Sequence, residues 1–324
     1  MKLEWSTLNN TLYIVVPCYN EEAVLPETAV RLRDKLNALT DAGKISPASR
    51  ILFVNDGSRD ATWQIICRLH GEDKRFSGVS LSRNRGHQYA LLAGLMTAKD
   101  RADMTISIDA DLQDDLDAID AMVDKYLHGY EIVYGVRSSR ASDTGFKRGT
   151  ALSFYRMMQK LGAEIVYNHA DFRLMGKRAL EALSAYKEQS LFLRGIVPML
   201  GFRTATVEYV RSARFAGESK YTLRKMLALA ADGVTSLSLR PLRWILGAAG
   251  LLFLLALIPV ILGVVSLCRG MPLSDRDVLA FCIFFVGGIV LAALGIVGEY
   301  VGKTLLEAKA RPRYFISEIV HDDE

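Results

Sequence analysis

Two long stretches without a charged side chain lie near the C-terminus, and they restrict the fold more than any other feature of the sequence. They run from Trp244 to Leu267 and from Val278 to Val297. Each is close to the ~20 residues that an α-helix needs to cross the apolar core of a bilayer. Buried helices of this length without any charge are uncommon in globular proteins. We therefore predict a transmembrane hairpin with helices at 244–267 and 278–301.

Positively charged residues flank the predicted hairpin at both of its ends. Arg240 and Arg243 precede the first helix, and four Lys or Arg residues follow the second between positions 303 and 313. The connecting loop, 268–277, balances two arginines with two aspartates. Cytoplasmic flanks of membrane helices are enriched in Lys and Arg, and the apolar run at 12–17 is too short for a secretory signal. Both ends of the chain are therefore expected in the cytoplasm.

Upstream of the hairpin, short apolar runs rich in β-branched residues alternate with stretches of helical periodicity. This alternation is typical of βαβ units, and it predicts an α/β fold with a mainly parallel sheet and helices on both faces. The predicted strands are Leu12–Val16, Arg50–Val54, Gly78–Leu81, Met104–Ile108 and Glu131–Val136. The predicted helices are Ala23–Leu39, Ala61–Leu69, Gln88–Thr97 and Leu116–Leu127.

Polar residues follow each predicted strand at its carboxyl end. Open α/β sheets bind their ligands just outside this edge. No GxGxxG motif follows the first strand, which argues against a Rossmann dinucleotide site. Clusters at five strand ends therefore predict a different kind of ligand site. They are Asn20 and Glu21, Asp56, Asn84 and Arg85, Asp109 and Asp111, and Arg137.

The triplet Asp109-Ala110-Asp111 is the sharpest local motif. Two carboxylates one residue apart offer oxygen ligands to a hard divalent cation. Mg²⁺ or Mn²⁺ held there would offset the charge of a departing diphosphate. Acidic pairs also occur in solvated loops, but the position after an apolar strand, with Gln113 and Asp114 close behind, favours a metal site.

Six ordered motifs give the chain a specific resemblance. Three of them resemble family 2 glycosyltransferases of the GT-A fold: Val16–Glu22 (VPCYNEE), Val54–Ser58 (VNDGS) and Asp109–Gln113 (DADLQ). With the hairpin, three more narrow the likeness to polyprenyl-phosphate glycosyltransferases: Ser82–Gly86 (SRNRG), Asp171–Met175 (DFRLM) and Gly217–Tyr221 (GESKY). The sequence is most similar to bactoprenol glucosyltransferases. Dolichol-phosphate mannose synthases and undecaprenyl-phosphate aminoarabinose transferases are related.

The resemblance implies a role for each group of site residues. The implied catalytic residues are Asp171, as an acid–base residue, and Asp109. Because a lipid phosphate is already largely ionised near neutral pH, Asp171 has a second reading, in which it orients the sugar hydroxyls or Arg173. The implied metal ligands are Asp109, Asp111 and Gln113. The implied nucleotide ligands are Pro17, Tyr19, Asn20, Glu21, Asp56, Asn84 and Arg85. The implied acceptor-phosphate ligands are Arg137, Arg148, Arg214 and Lys220.

The expected reaction is transfer of a sugar, with anomeric inversion, from a nucleotide donor to undecaprenyl phosphate. UDP-glucose is the first choice of donor. The alternatives are another sugar (mannose, an aminoarabinose derivative or an N-acetylhexosamine) and a non-catalytic, membrane-tethered sensor of sugar nucleotides. A processive polysaccharide synthase would be expected to have more membrane helices. Expected partners are the membrane, a downstream flippase or glycosyltransferase and a homo-oligomeric assembly. The net charge of +4 does not indicate nucleic acid.

These expectations divide the chain into four parts. A cytoplasmic GT-A catalytic domain covers 1–215, and the hairpin at 244–301 is followed by a cytoplasmic tail at 302–324. Between the domain and the hairpin, 216–243 forms a helical segment on the membrane surface. Its periodicity also fits a helix packed on the domain's own core. The resulting protein is a multi-pass component of the bacterial inner membrane.

The orientation of the hairpin is testable by thiol labelling. A cysteine introduced at Ser274, in the connecting loop, should react with an impermeant reagent added outside sealed cells. Cysteines at Ser58 or Ser317 should be protected, because both positions are expected in the cytoplasm. Mass spectrometry of the purified variants measures the labelling. The reverse pattern would contradict the orientation.

Overall fold

A computed structural model describes residues 10–138, 169–189, 192–210, 245 and 275–321. Within these residues the chain forms eight strands and seven helices. The strands are β1 (Leu12–Cys18), β2 (Arg50–Asn55), β3 (Phe76–Leu81), β4 (Met104–Ser107), β5 (Ile132–Arg137), β6 (His169–Gly176), β7 (Thr204–Tyr209) and β8 (Ile316–Val320). The helices are α1 (Leu25–Asp41), α2 (Thr62–Glu72), α3 (His87–Ala98), α4 (Ala118–Leu127), α5 (Lys177–Ser184), α6 (Leu193–Met199) and α7 (Asp275–Ala308).

The strands form one sheet in the order β7-β5-β6-β4-β1-β2-β3-β8. Strands β1, β2, β3 and β4 are paired in parallel, as are β5 and β7. Strands β6 and β8 run antiparallel to their neighbours. The prediction of a mainly parallel α/β sheet is confirmed, and all five predicted strands and four predicted helices are present with small shifts at their ends. Strands β6, β7 and β8 were not predicted.

The core lies on both faces of the sheet. On one face, Ile14 of β1 belongs to an apolar cluster with residues of α1, α2 and α4, including Leu32. On the other face, Val15 belongs to a second cluster with Val54 and with residues of α3, α5 and α6. Parallel strands buried on both faces read as continuous apolar runs. This explains why the sequence of β1 lacks the alternation of a half-exposed strand.

The chain returns to the sheet after α7. Strand β8 pairs antiparallel with β3, with Val320 opposite Gly78. The backbone N–H of Ser82 donates to the carbonyl of Phe315 at 2.9 Å, and the indole N–H of Trp63 donates to Glu318 at 3.0 Å. Part of the predicted tail, 302–324, is therefore a strand of the same sheet as β1.

Helix α7 contains the membrane-crossing candidate of the described chain. Phe285–Ala308 is 24 residues long with a mean hydropathy of 1.8, and none of its most apolar window is buried. At 1.5 Å per residue it measures about 36 Å, enough for a ~30 Å hydrocarbon core. Length and composition thus allow a span that ends at Ala308 rather than at 301. The predicted first span, 244–267, and the predicted surface segment, 216–243, lie outside the described residues apart from Ile245.

Gly94 fixes the distance between α3 and the sheet. A Cβ at this position would lie 2.4 Å from Val15 and 2.6 Å from Val54, whereas a Cβ on Gly71 of α2 would have no neighbour within 4 Å. Gly94→Ala should therefore lower the free energy of unfolding by about 1–3 kcal/mol through overpacking. Gly71→Ala is the matched control and should raise it by about 0.5–1 kcal/mol, since alanine is the better helix former. Thermal unfolding in detergent measures both. Equal effects would contradict the close packing.

Candidate active site

The loops after β1 and β2 bind each other directly. The N–H of Asn20 donates to Ser58 at 3.0 Å, and the N–H of Arg59 donates to the side-chain oxygen of Asn20 at 2.9 Å. Asn20 has a left-handed backbone with φ of 54°, which asparagine tolerates better than most residues. The N–H of Glu21 donates to Thr62 at 2.9 Å. Hydrogen bonds thus join the predicted nucleotide residues Asn20 and Glu21 to the segment that follows β2.

Pro17 and Tyr19, the other predicted nucleotide residues of this segment, differ in accessibility. Pro17 is buried inside β1, where it pairs with Val54 of β2. Tyr19 is half-buried just beyond the strand. Only Tyr19 of the two has a partly accessible side chain at this edge.

Asp56 joins the second loop to the third. Its carboxylate is buried and accepts the N–H groups of Arg85 at 2.7 Å and Gly86 at 2.8 Å. Burial raises the pKa of Asp56, although these two hydrogen bonds act in the opposite direction. Gly57 has φ of +62°, and a Cβ there would lie 2.5 Å from the backbone nitrogen of Asn84. The third loop therefore rests directly against the second.

The side chain of Arg85 is engaged by the C-terminal segment. Its guanidinium donates to the carbonyl oxygens of Arg313 at 2.7 Å and Pro312 at 3.2 Å. It also lies 5.6 Å from the ring centroid of Tyr89. Its backbone N–H faces Asp56, so Arg85 lies at the predicted site while its charged group holds the tail.

The Asp109–Gln113 loop leaves β4 at the same edge. Leu112 has φ of 55°, an uncommon conformation for a residue other than glycine, and the N–H of Gln113 donates to Asp111 at 3.2 Å. Asp109 and Asp111 are both partly accessible. Among the described residues no group of three or more His, Cys, Asp or Glu side chains forms a complete metal site. Mg²⁺ is commonly held by one or two carboxylates together with substrate phosphates, and this partial set of oxygen donors fits that arrangement.

Asp114 and Arg137 are linked through Tyr209, the last residue of β7. Asp114 is buried, and the hydroxyl of Tyr209 donates to its carboxylate at 2.6 Å. The Nε of Arg137 donates to the same hydroxyl at 3.3 Å. Burial and the charge of Asp109 raise the pKa of Asp114 to about 6, against the effect of the Tyr209 hydrogen bond. The predicted acceptor residue Arg137 is thereby tied to the predicted metal loop.

Asp171, on β6, is surrounded by nitrogen donors. Its Oδ1 lies 3.0 Å from Nη2 of Arg173 and 3.3 Å from Nε of Arg194. Its Oδ2 lies 2.9 Å from Nη2 of Arg194, 3.3 Å from Nε2 of Gln88 and 3.3 Å from Nε2 of His87. Burial alone would raise the pKa of Asp171, but the charge of Arg194, the His87 contact and the charge of Arg173 hold it well below its usual range.

His87 connects Asp171 to the metal loop. It is the first residue of α3, and its Nε2 lies 3.7 Å from Oδ1 of Asp109. Burial opposes its protonation, but the contact with Asp171 and the charges of Asp109 and Asp171 outweigh burial and raise the pKa of His87. The carboxylates of Asp109 and Asp171 thus flank one imidazole.

Several of these residues were not predicted from the sequence. His87 and Gln88 begin the helix that follows β3, so the rule of strand ends that selected Asn84 and Arg85 would have reached them. Arg194 offered no such signal. The structure brings most of the predicted donor and metal residues, with Arg137 and Asp171, to one edge of the sheet. The remaining acceptor candidates lie outside the described residues: Arg148, Arg214 and Lys220.

The arrangement of motifs and loops agrees with a known family. Residues 13–184, more than half of the chain, match the family described as Glycosyl transferase family 2. The chain belongs to this family. The predicted resemblance and the predicted class of enzyme, a glycosyltransferase, are confirmed.

Relatives of this glycosyltransferase match it over nearly its whole length. The uncharacterized glycosyltransferase YkoT of Bacillus subtilis is 49% identical over 313 residues, which are 97% of this chain and 93% of the relative. The bactoprenol glucosyl transferase of Shigella phage SfV is 38% identical over 309 residues, which are 94% and 97% of the two chains. A prophage bactoprenol glucosyl transferase homolog of Escherichia coli is 38% identical over 317 residues, which are 94% of this chain and 98% of that one.

More distant similarity extends to solved structures. Mannosyl-3-phosphoglycerate synthase from Rubrobacter xylanophilus superposes with a TM-score of 0.49 at 17% identity and covers 72% of this chain and 74% of its own. The mannosyltransferase PcManGT from Pyrobaculum calidifontis, in complex with GDP-Man and Mn²⁺, has a TM-score of 0.44 at 18% identity, with coverages of 94% and 87%.

The raised pKa of Asp114 makes stability depend on pH. An unfolded aspartate titrates near 3.9, so between about pH 4 and pH 6 the folded chain keeps a proton that the unfolded chain has lost. Asp114 therefore costs stability increasingly as pH rises through this range. An asparagine side chain does not ionise, so the stability of the Asp114→Asn variant relative to the parent should increase by about 2–3 kcal/mol between pH 4 and pH 7. Thermal unfolding at a series of pH values measures the difference.

Tyr209→Phe provides the opposite change for the same measurement. It removes the hydroxyl that favours the ionised carboxylate, so the pKa of Asp114 should rise further. The loss of stability with rising pH should become larger than in the parent. A constant offset at every pH for both variants would contradict the assignment to Asp114.

Proposed function

We propose that this glycosyltransferase transfers a sugar, with UDP-glucose as the first donor to test, to undecaprenyl phosphate at the cytoplasmic face of a membrane. The observation that carries this proposal is the attachment of the apolar helix α7 beside the site. Glu307, in the last turn of α7, accepts the N–H of Gln189 at 2.7 and 2.9 Å, and the carbonyl of Gln189 accepts the hydroxyl of Tyr89. Tyr89 lies in the first turn of α3, two residues from His87. The helix suited to lipid thus ends next to the predicted donor site.

The relatives support the same substrate class. Proteins named bactoprenol glucosyl transferase cover nearly the whole chain, including the region of the apolar helix. A lipid-linked acceptor needs its phosphate to reach the site while its polyprenyl tail remains in the bilayer. An enzyme anchored beside its own site meets both requirements. We propose limits of 1–215 for the catalytic domain, 216–243 for the surface segment and 244–301 for the hairpin. The cytoplasmic tail, 302–324, contributes β8 to the sheet of the catalytic domain.

The metal ligands in this proposal are Asp109, Asp111 and Gln113, with Mg²⁺ or Mn²⁺ as the ion. When bound, the ion supplies positive charge that stabilises the leaving diphosphate. The chain's own residues fix the loops around it. Asp56 holds the third loop through two backbone hydrogen bonds, and Tyr209 holds Asp114 beside the metal loop. The donor would lie across Asn20, Glu21 and these loops.

The proposed chemistry is a direct displacement. A phosphate oxygen of the lipid forms a bond with the anomeric carbon, while the bond from that carbon to the donor's diphosphate breaks. The electron pair of the broken bond leaves with the nucleoside diphosphate, and attack from the opposite face inverts the anomeric centre. A phosphate monoester has its second pKa near 6, so most of the nucleophile is already deprotonated at pH 7. Little proton removal by the protein is required.

The metal loop is tested by a pair of aspartate variants. Asp111→Asn should abolish sugar transfer, because it replaces an anionic oxygen ligand with a neutral one. Asp115→Asn, in the same loop, should retain activity, because the Asp115 carboxylate accepts the N–H of Asp117 at 3.0 Å and is not among the proposed ligands. The assay incubates membranes with labelled UDP-glucose and counts label in the extracted lipid.

Three outcomes of this assay would contradict different parts of the proposal. Full activity of Asp111→Asn, or undiminished parent activity in EDTA, contradicts the metal assignment. Label recovered in lipid only with a different sugar nucleotide contradicts the glucose donor. If no sugar nucleotide gives labelled lipid even when undecaprenyl phosphate is added, the proposed acceptor is contradicted.

A further inference from the structure

Asp171 has the surroundings of an anchor rather than those of a proton acceptor. A general base needs an accessible lone pair and a pKa near the working pH. Both oxygens of Asp171 already contact at least two nitrogen atoms each, and only 6% of its side chain is accessible. Its cationic neighbours also keep it ionised. The carboxylate is therefore better suited to hold cations in place than to receive a proton.

Two arginines contact this carboxylate, and they differ in accessibility. The side chain of Arg173 is completely buried, and it reaches from Asp171 to the carbonyl of Leu193 at 3.4 Å. The side chain of Arg194 is 36% accessible, although it contacts both oxygens of Asp171. Arg173 thus completes the internal packing of β6 against α6. Arg194 presents an oriented guanidinium to solvent at the site.

Gln88 fixes the position of Arg194 from a second direction. Its amide oxygen accepts the N–H of Leu193 at 3.0 Å, while its amide nitrogen donates to Asp171 at 3.3 Å. Arg194 is the next residue after Leu193, so its backbone is held by Gln88 and its side chain by Asp171. A guanidinium restrained in this way loses little conformational freedom when it binds a ligand.

A short series of contacts connects Arg194 to the metal loop. Arg194 lies 2.9 Å from Asp171, Asp171 lies 3.3 Å from His87, and His87 lies 3.7 Å from Asp109. Arg194 is the accessible guanidinium of this series, with 36% of its side chain exposed, and three contacts connect it to the metal loop. A guanidinium in this position is complementary to a phosphate group, which arginine binds through two parallel hydrogen bonds.

We propose that Arg194 binds a phosphate group of the reacting pair, and that Asp171 is the positioning residue that holds it. This inference rests on the proposed function, in which both substrates carry phosphate at this edge. The phosphate belongs either to the lipid acceptor or to the nucleotide donor. The inference adds Arg194 to the candidate phosphate ligands Arg137, Arg148, Arg214 and Lys220, and it makes Asp171 a positioning residue for Arg194.

The first experiment compares substitutions of Arg194 with a matched surface arginine. Arg194→Gln should raise KM for undecaprenyl phosphate about ten- to a hundredfold if the bound phosphate is the acceptor's. If it is the donor's, Kd for UDP-glucose should rise by a similar factor. Arg194→Lys should recover part of the loss, because it keeps the charge without the fork. Arg178→Gln is the control. Like Arg194, Arg178 contacts a carboxylate, that of Glu131 at 3.3 Å, but it is 72% exposed, and its substitution should change neither constant.

The second experiment separates positioning from base catalysis at Asp171. If Asp171 positions Arg194, Asp171→Asn should reproduce the binding defect of Arg194→Gln, and combining the two should add little. If Asp171 were the base, Asp171→Asn would lower kcat with KM unchanged and remove the acidic limb of the pH profile. Circular dichroism checks that the Asp171→Asn variant folds, because this substitution removes the carboxylate that pairs with buried Arg173. Arg194→Gln tests the proposal even if Asp171→Asn does not fold.

The outcomes distinguish this inference from the proposed function. Suppose that the parent enzyme transfers glucose to undecaprenyl phosphate and that Arg194→Gln has the same KM and Kd as Arg178→Gln. The role proposed for Arg194 is then overturned, while the proposed function stands. Parent enzyme that binds UDP-glucose but labels no lipid overturns the proposed acceptor. In that case a changed Kd for UDP-glucose in Arg194→Gln still supports phosphate binding by Arg194.

Discussion

The loops of the site leave one edge of the sheet because β3, β2, β1 and β4 are hydrogen-bonded in parallel. Parallel strands end at the same side of the sheet, so the pairing of the strands brings together loop residues that are far apart in sequence. Asn20 meets Ser58, and Asp56 meets Arg85, only because β1, β2 and β3 are in register. Strand β6 lies antiparallel between β4 and β5, so its N-terminal end, with Asp171, lies at the same edge.

Two carboxylates at this edge show how neighbours decide the charge of a buried group. Asp114 and Asp171 are each 5% exposed, so burial alone would raise the pKa of both. Asp114 lies near other acidic groups, and its pKa rises to about 6. Asp171 lies among two arginines and a histidine, and its pKa falls well below its usual range. The same edge of the sheet therefore holds one carboxyl with a pKa raised to about 6 and another that its cationic neighbours keep ionised.

The parts of the fold that were predictable are those where one physical signal dominates. Strands β1 and β2 are buried on both faces, and their continuous apolar runs identified them. Strand β6 contains Asp171 and Arg173, whose charges cancel each other inside the protein, and a single sequence does not show that pairing. Strand β8 is short and separated from its partner by more than two hundred residues. No local pattern specifies such a pairing.

The same reasoning explains which residues at this edge of the sheet were predicted. Asp56, Asp109 and Asp111 follow apolar strands directly, so the rule of strand ends located them. Arg194 reaches the site from a short helix after β6, and only the contact with Asp171 reveals its direction. Arg85 was placed correctly at the edge, but its guanidinium binds the chain near Arg313, a contact that depends on the late return of the tail.

That return has a consequence for biosynthesis. Ribosomes release a chain from its N-terminus, and domains generally begin to fold in that order. The partner of β3 is β8, which follows the apolar helix α7 and is made more than two hundred residues after β3. The outer edge of β3 therefore stays unpaired until β8 has been synthesised. Its free N–H and C=O groups can pair with strands of other chains during this time. A premature stop codon just before Ile316 would leave the predicted metal and nucleotide motifs intact, but the edge of β3 would have no partner strand and would promote aggregation.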